Sequence, residues 1–246
     1  ENGAGKTTLM NMLYGSIRPT NGQIFFNDQP VYFNSPKDAI ERGIGMVHQH
    51  FMLSPSLTIY ENILLGVEKM KALRLGSKVI NLPLIDNTKE RQVVDDLIEK
   101  YNFNLDSRMK IKDLSIGARQ RVEILKMLYR DVDVLILDEP TAVLIPQEID
   151  ELMYRISDLK DDGKTVIIIT HKLNEVKQCA DNISVMRRGD LVGTVPNNDE
   201  TTTQSLAEMM VGRPVLLRVK KSGKPVNKEK VVYEVKGLST KNADGL

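Results

Sequence analysis

Apolar and polar positions along the chain repeat with two different periods, and each change of period marks an element. Lys6–Tyr14 has helical spacing, with Gly15 as its stop. Gly22–Asp28 and Val31–Phe33 read as short strands around a turn. Ser35-Pro36 opens a helix, with proline at its first position, and Gly43 closes it. Ile44–Gln49 is a strand. Thr58-Ile-Tyr-Glu61 has the spacing of a capping box and starts another helix. Residues 68–80 are basic and read as an irregular, solvated surface. Val93, Val94, Leu97, Ile98 and Tyr101 line one face of a helix over Asn87–Tyr101, so residues 58–115 are expected to be largely helical. Leu114–Arg130 is a further helix, and the aliphatic strand Asp133–Asp138 follows it. Pro146–Leu159 is helical, Thr165–Thr170 is a buried strand, and Leu173–Cys179 is helical. Asn182–Arg187 and Leu191–Val195 pair as strands around Arg188-Gly189-Asp190. Thr203–Val211 is a last helix, stopped by Gly212.

Alternation of strands and helices with solidly aliphatic strands predicts an α/β fold around a mostly parallel sheet. Residues 213–230, with five lysines, two prolines and a glycine, have a linker composition. Val231–Lys236 then reads as a new strand, the start of a further unit.

Composition narrows the function classes. The chain has 246 residues, 41% hydrophobic and 27% charged, which describes a globular protein rather than a disordered one. Lys and Arg total 34 against 33 Asp and Glu, a net charge of +1, so nothing electrostatic points to nucleic acid as a partner. Cys179 is the single cysteine, which excludes an internal disulfide and suits a reducing compartment. The longest aliphatic stretches, Val134–Leu137 and Val166–Ile169, fall far short of the roughly 20 residues of a membrane span. Work at a membrane would therefore go through a partner. The chain opens at Glu1, inside a motif, and is expected to be part of a longer polypeptide.

That motif is Glu1-Asn2-Gly3-Ala4-Gly5-Lys6-Thr7-Thr8, a phosphate-binding loop without its first glycine. Glycines let backbone N–H groups close on phosphate oxygens, Lys6 supplies a cation, and Thr7 offers a hydroxyl to Mg²⁺. The helix that follows directs its N-terminus at the anion. Taken alone, the stretch also fits a Gly-rich turn before an ordinary helix. Val134–Leu137 runs into Asp138 and Glu139, and a strand of an open α/β sheet presents its C-terminal end to the ligand crevice. There Asp138 can hold Mg²⁺ and Glu139 can polarise a water. The second aliphatic strand ends at His171, which could bond a terminal phosphate or that water. Leu114-Ser115-Ile116-Gly117-Ala118 opens the helix that carries Arg119, Gln120 and Arg121, as a second anion site or as a plain N-cap. Gln49 lies between His48 and His50, but with three histidines in all and no cysteine cluster a zinc site has no basis.

Lys6-Thr7, Gln49, Leu114-Ser115, Asp138-Glu139 and His171 come in the order and rough spacing of ABC transporter ATPase domains, and the chain resembles that family over about residues 1–215. The resemblance implies a P-loop NTPase core, with residues 58–115 as the helical subdomain that leans on the permease. It implies that Asn2, Gly3, Ala4, Gly5, Lys6, Thr7 and Thr8 bind ATP, and that Thr7, Gln49 and Asp138 serve Mg²⁺. Glu139 would be the catalytic base, His171 the switch histidine, and Gln49 the glutamine that also touches the membrane subunit. Ser115 and Gly117 would stand for the signature that closes over a nucleotide held by another domain. Gly45–Leu53, Arg121–Leu125 and Glu139–Leu144 are similar to the sugar and nucleoside importer ATPases of bacteria, and His48–Leu53 most of all to those of purine-nucleoside systems linked to a basic membrane lipoprotein.

Such proteins carry two ATPase domains in one chain. The expected layout is thus an ATPase domain over 1–215, a linker over 216–230, and the start of a second ATPase domain over 231–246. The expected partners are transmembrane permeases, the second cassette (or a second copy) and, indirectly, an extracytoplasmic solute-binding lipoprotein. The expected place is peripheral, on the cytoplasmic face of the membrane.

Two departures stand out. Ile116 and Ala118 replace a glycine and the glutamine of the family signature, and Ile145 stands where an aspartate is expected. A β-branched residue resists positive φ, so reduced activity at one composite site is expected. The aromatic residue that stacks on adenine would precede Glu1. The rival readings are a soluble ABC ATPase acting on ribosomes or DNA, which a long basic linker or a coiled-coil insertion would mark, and a non-catalytic nucleotide-binding regulator, against which Lys6, Asp138, Glu139 and His171 argue.

Overall fold

The computed structural model describes residues 3–67, 70–75, 78–85, 87–214, 233–237 and 239. It begins with helix α1 (Lys6–Leu13), and Gly15, at φ 77°, turns the chain beneath it. A Cβ at Gly15 would lie 2.5 Å from the Ser35 carbonyl oxygen, so only glycine fits there. Strands β1 (Ile24–Phe26) and β2 (Gln29–Val31) form an antiparallel hairpin. Its turn is Asn27-Asp28, both at positive φ, which places the second strand earlier than the expected Val31–Phe33. Helix α2 (Pro36–Glu41) starts at Ser35, whose hydroxyl accepts the Asp38 N–H. Strand β3 (Ile44–Val47) ends two residues before Gln49.

Helix α3 (Ile59–Leu64) opens on a complete capping box: Thr58 Oγ1 accepts the Glu61 N–H, and the Glu61 carboxylate accepts the Thr58 N–H at 2.8 Å. The basic stretch expected to be irregular instead contains β4 (Met70–Leu75) paired antiparallel with β5 (Lys78–Ile85), so residues 58–115 are not wholly helical. Two aliphatic runs separated by a Gly-Ser pair are a hairpin signal, which the lysines obscured. Helix α4 (Asn87–Lys100), a 3-10 turn at Ile111–Asp113 and helix α5 (Ile116–Tyr129) complete this region.

Strand β6 (Val134–Asp138), helix α6 (Pro146–Asp161), strand β7 (Thr165–Ile169) and helix α7 (Leu173–Cys179) follow. Strands β8 (Asn182–Arg187) and β9 (Asp190–Pro196) make a second hairpin, and helix α8 (Thr203–Val211) ends at Gly212 in the left-handed region.

The sheet that positions the site is parallel, in the order β3-β6-β7, with Val47 opposite Leu137 and Asp138 opposite Ile169. Its pleat divides the core into two layers. Val47, Leu135 and Leu137 face α5 and α6 along with Leu125 and Ile156, whereas Ile44, Met46 and Ile136 face Tyr14, Phe33 and Ala39. Each such aliphatic side chain, fully buried, contributes about 1.5–3 kcal/mol. Gly45 brings α5 close: a Cβ there would meet Met127 Sδ at 3.0 Å and Val132 Cγ1 at 3.1 Å. Strand β7 was expected to be buried, but only Ile169 is; Val166, Ile167 and Ile168 are half-buried, because β7 is an outer strand of the sheet among the described residues.

The chain divides into two compact units, Glu1–Val215 and Leu216–Leu246. The linker expected over 216–230 lies outside the described residues, as do Val231 and Val232 of the strand expected after it. Tyr233–Lys236 are described and carry no strand. Among the described residues no helix is long and apolar enough to cross a membrane.

Candidate nucleotide site

The site is built where α1 meets the C-terminal ends of the parallel strands. Gly3 and Gly5 have φ of 75° and 94°, and Gly5 is the residue from which α1 starts. No side chain caps this helix and no acid lies in its first turn, so its leading amides and the positive end of its dipole are left for an anion. The loop is buttressed from behind. Ala4 is buried, its carbonyl accepts the Gly189 N–H at 3.0 Å, and a Cβ on Gly5 would stand 3.5 Å from Gly189 Cα. Gly189 was read from the sequence only as a hairpin turn; its role against the loop comes from the fold. Asn2 lies outside the described residues. Thr8, on the first turn, is exposed.

The acidic side is delivered by β6. Asp138 is only 4% exposed, and Thr7 Oγ1 donates to its Oδ1 at 3.2 Å across 131 residues of sequence. Burial lifts the Asp138 carboxyl above the ordinary carboxylate range, and the neighbouring Glu139 pushes the same way. The Thr7 hydrogen bond opposes this, as do the fields of His48 and Lys6. Lys6, Thr7 and Asp138 thus share one electrostatic environment. His48 packs edge-on to Tyr14 with ring centroids 5.6 Å apart, and burial lowers its pKa. It was weighed from sequence only as a metal ligand, and its place beside Asp138 emerges from the fold.

Glu139 sits at φ 49°, a conformation a non-glycine residue adopts only when its surroundings hold it. Its N–H donates to the Ile169 carbonyl at 2.9 Å, extending the β6–β7 ladder by one bond. Its carboxylate Oε1 accepts from His171 Nδ1 at 2.9 Å. The other oxygen, Oε2, is buried and has no hydrogen-bond partner among the described residues. Glu139 is therefore held at one oxygen, while the other keeps an unfilled capacity to accept a hydrogen bond or a proton.

Two expected parts stand apart from this cluster. Gln49 lies just beyond β3, at the same end of the sheet, exposed and without a bond to Asp138. Ser115 is the N-cap of α5, its hydroxyl accepting the Ala118 N–H at 3.2 Å, and it is exposed. Gly117 is buried against α6, where a Cβ would come within 2.2 Å of Glu148 Oε1. Their contacts run to α5 itself and to α6, not to the phosphate loop. Of the three departing residues, Ile116 and Ile145 are exposed and Ala118 is buried.

The model of the ABC transporter family matches residues 1–142, from the phosphate loop through Asp138 and Glu139. The chain belongs to the ABC transporter family. The ABC assignment agrees with the α/β architecture: the chain resembles the structure of cbiO1 from Clostridium perfringens, part of the ABC transporter complex cbiONQ, at 30% identity and a TM-score of 0.64, over 86% of this chain and 78% of that one. Among curated ABC relatives it is 45% identical to the nucleoside import ATP-binding protein NupA of Lactococcus lactis, over 100% of this chain and 46% of NupA. It is also 45% identical to the glucose import ATP-binding protein TsgD13 of Haloferax volcanii, over 92% of this chain and 45% of that protein. The chain thus spans about half the length of these relatives.

Proposed function

We propose that this chain supplies an ATP-binding and ATP-hydrolysing cassette to an importer of nucleosides or sugars. One juxtaposition carries the reading. The Thr7–Asp138 bond joins the phosphate loop to β6, and the next residue, Glu139, is paired with His171. A grip for a triphosphate and an acid–base pair therefore lie side by side. The names of the relatives support the import direction and the nucleoside or sugar cargo.

The residues present fit Mg²⁺. A hydroxyl and a carboxylate, both hard oxygen donors, meet at 3.2 Å, and the buried Asp138 carboxyl gains from a nearby cation. Thr7 and Asp138 would hold the ion, with Gln49, beyond the end of β3, as the further candidate, and when bound it would offset phosphate charge. The chain's own groups do the rest. Amides of Gly3–Thr8 and the Lys6 ammonium bind the phosphates, in concert with Asn2. The Glu139 carboxylate orients a water and takes its proton, and His171 holds Glu139 through Nδ1 and, when both ring nitrogens carry a proton, donates from Nε2 toward the terminal phosphate. Phosphoryl transfer asks mainly for such positioning and charge stabilisation.

The remaining assignments belong to the same reading. Residues 1–215 form the cassette, 216–230 a linker, and 231–246 the start of a second cassette that completes the site; a second copy of the chain is the other way to complete it. Ser115 and Gly117 face that partner's nucleotide, and Ile116 and Ile145 weaken one of the two composite sites. Permease subunits dock around Gln49 at the cytoplasmic face of the membrane, and a solute-binding lipoprotein acts through them. The test is Lys6→Ala in the full-length protein with its permeases. ATP affinity and solute uptake should both fall sharply, and unchanged affinity would refute the loop assignment.

A further inference from the structure

Behind Glu139 and His171 lies a polar cluster that the reaction described above does not use. Thr141, two residues past Glu139, is fully buried, and Glu175 on α7 is 6% exposed. The Thr141 hydroxyl donates to Glu175 Oε2 at 2.7 Å and accepts from Lys172 Nζ at 3.0 Å, so it is engaged both as donor and as acceptor. Lys172 Nζ also donates to the Thr141 carbonyl at 2.9 Å and pairs with Glu175 Oε1 at 3.1 Å. On the other flank of His171, the Thr170 hydroxyl accepts the Lys172 N–H at 3.0 Å and donates to Glu175 Oε2 at 3.4 Å.

The topology gives this cluster its meaning. Thr141 is tied to the loop that carries Glu139, and Thr170 and Lys172 flank His171 in sequence. Glu175 is the one residue bonded to all three. Glu139 itself sits at strained φ, and its side chain is held at Oε1 alone, by His171, since Oε2 has no partner among the described residues. The two loops meet in front through the 2.9 Å contact of Glu139 with His171 and the 2.9 Å bond from the Glu139 N–H to the Ile169 carbonyl, and behind through this network. Built around the buried Thr141–Glu175 bond, such a network defines one geometry rather than several.

We infer that Thr141, Lys172 and Glu175 are positioning residues for hydrolysis, which hold the Glu139 and His171 loops in the register that lets the two side chains meet. This rests on the cassette reading above. None of the three touches substrate; they act through Glu139 and His171. Removing the network leaves ATP binding at α1 intact, because the phosphate loop makes none of these bonds. It loosens the geometry of the attacking water instead, and a misplacement of about 1 Å costs about a hundred-fold in rate.

The experiment compares Thr141→Val, which keeps shape and deletes the hydroxyl, with Thr141→Ser, which keeps the hydroxyl, and with Glu175→Gln. Steady-state ATP hydrolysis is measured on the full-length protein with its permeases, with nucleotide affinity and melting temperature in parallel. Thr141→Val and Glu175→Gln should lower kcat by about ten- to a hundred-fold with KM for ATP nearly unchanged, and Thr141→Ser should restore kcat. A Thr141→Val protein with wild-type kcat overturns the inference and leaves the cassette reading standing. So does a loss in which kcat and melting temperature fall while KM rises, for that is a folding defect. A wild-type protein that binds ATP without turning it over overturns the cassette reading and, with it, this inference.

Discussion

Replacing Glu139 by glutamine separates charge from shape at the centre of the site, and the structure gives opposite signs for its two consequences. An amide oxygen can accept from His171 Nδ1 where Oε1 now does, at 2.9 Å, so the side chain keeps its place. The positive φ at Glu139 is present in both proteins and cancels. What changes is the second oxygen, buried and without a partner among the described residues. An unpaired buried polar atom costs about 1–3 kcal/mol, and more when it is charged. Glu139→Gln keeps an unpaired atom there but removes the charge. The expected gain is about 1 kcal/mol, or about 2–4 °C in Tm for a domain of this size. Turnover moves the other way. Loss of a general base removes about 10²–10⁴-fold in rate, equivalent to about 3–5 kcal/mol of barrier. The assays are phosphate release at saturating ATP and thermal melting without nucleotide. A variant that hydrolyses at the wild-type rate, or one that melts several degrees lower, would refute the argument.

Glu123 offers a pH test remote from the chemistry. Its carboxylate accepts the Met52 N–H at 2.5 Å, and burial lifts its pKa above the ordinary 4.5, against the pull of Lys126, Met52 and Arg130. The folded protein therefore keeps this proton to higher pH than the unfolded chain, and the group's contribution to stability declines as pH rises above 4.5. Glu123→Gln retains an oxygen for Met52, so its Tm advantage over wild type should widen from pH 4.5 upward; a constant difference would count against the account. At α3, Thr58→Ala breaks the capping box and should cost about 1 kcal/mol, read as a lowered Tm, with Thr58→Ser near wild type; equal melting of all three would show that the cap contributes nothing.

Much of the fold follows from side-chain periodicity. Helices α4, α5 and α6 and strand β6 were legible because their apolar residues repeat at the spacing of the face they bury, as Val94, Ile98 and Tyr101 do. The β4–β5 hairpin was not, because Lys71, Arg74 and Lys78 within two aliphatic runs look like a solvated loop. The exposure of β7 was not legible either: Val166 and Ile168 are as aliphatic as the buried residues of β6, and only strand order decides which are covered.

In the site, Lys6, Thr7, Asp138, Glu139 and His171 could be named because each lies at the end of a readable element, and the sheet brings those ends together. The second layer could not. The Thr141–Glu175 bond spans 34 residues, and neither residue type nor spacing announces it. Gly189 behind the phosphate loop is of the same kind.

The half-covered rim of β7 also governs how these 246 residues behave on their own. Backbone amides and carbonyls that no adjoining strand engages among the described residues, beside aliphatic side chains, form a template for pairing with another molecule. Produced alone, the polypeptide should tend to self-associate at high concentration, along this strand edge.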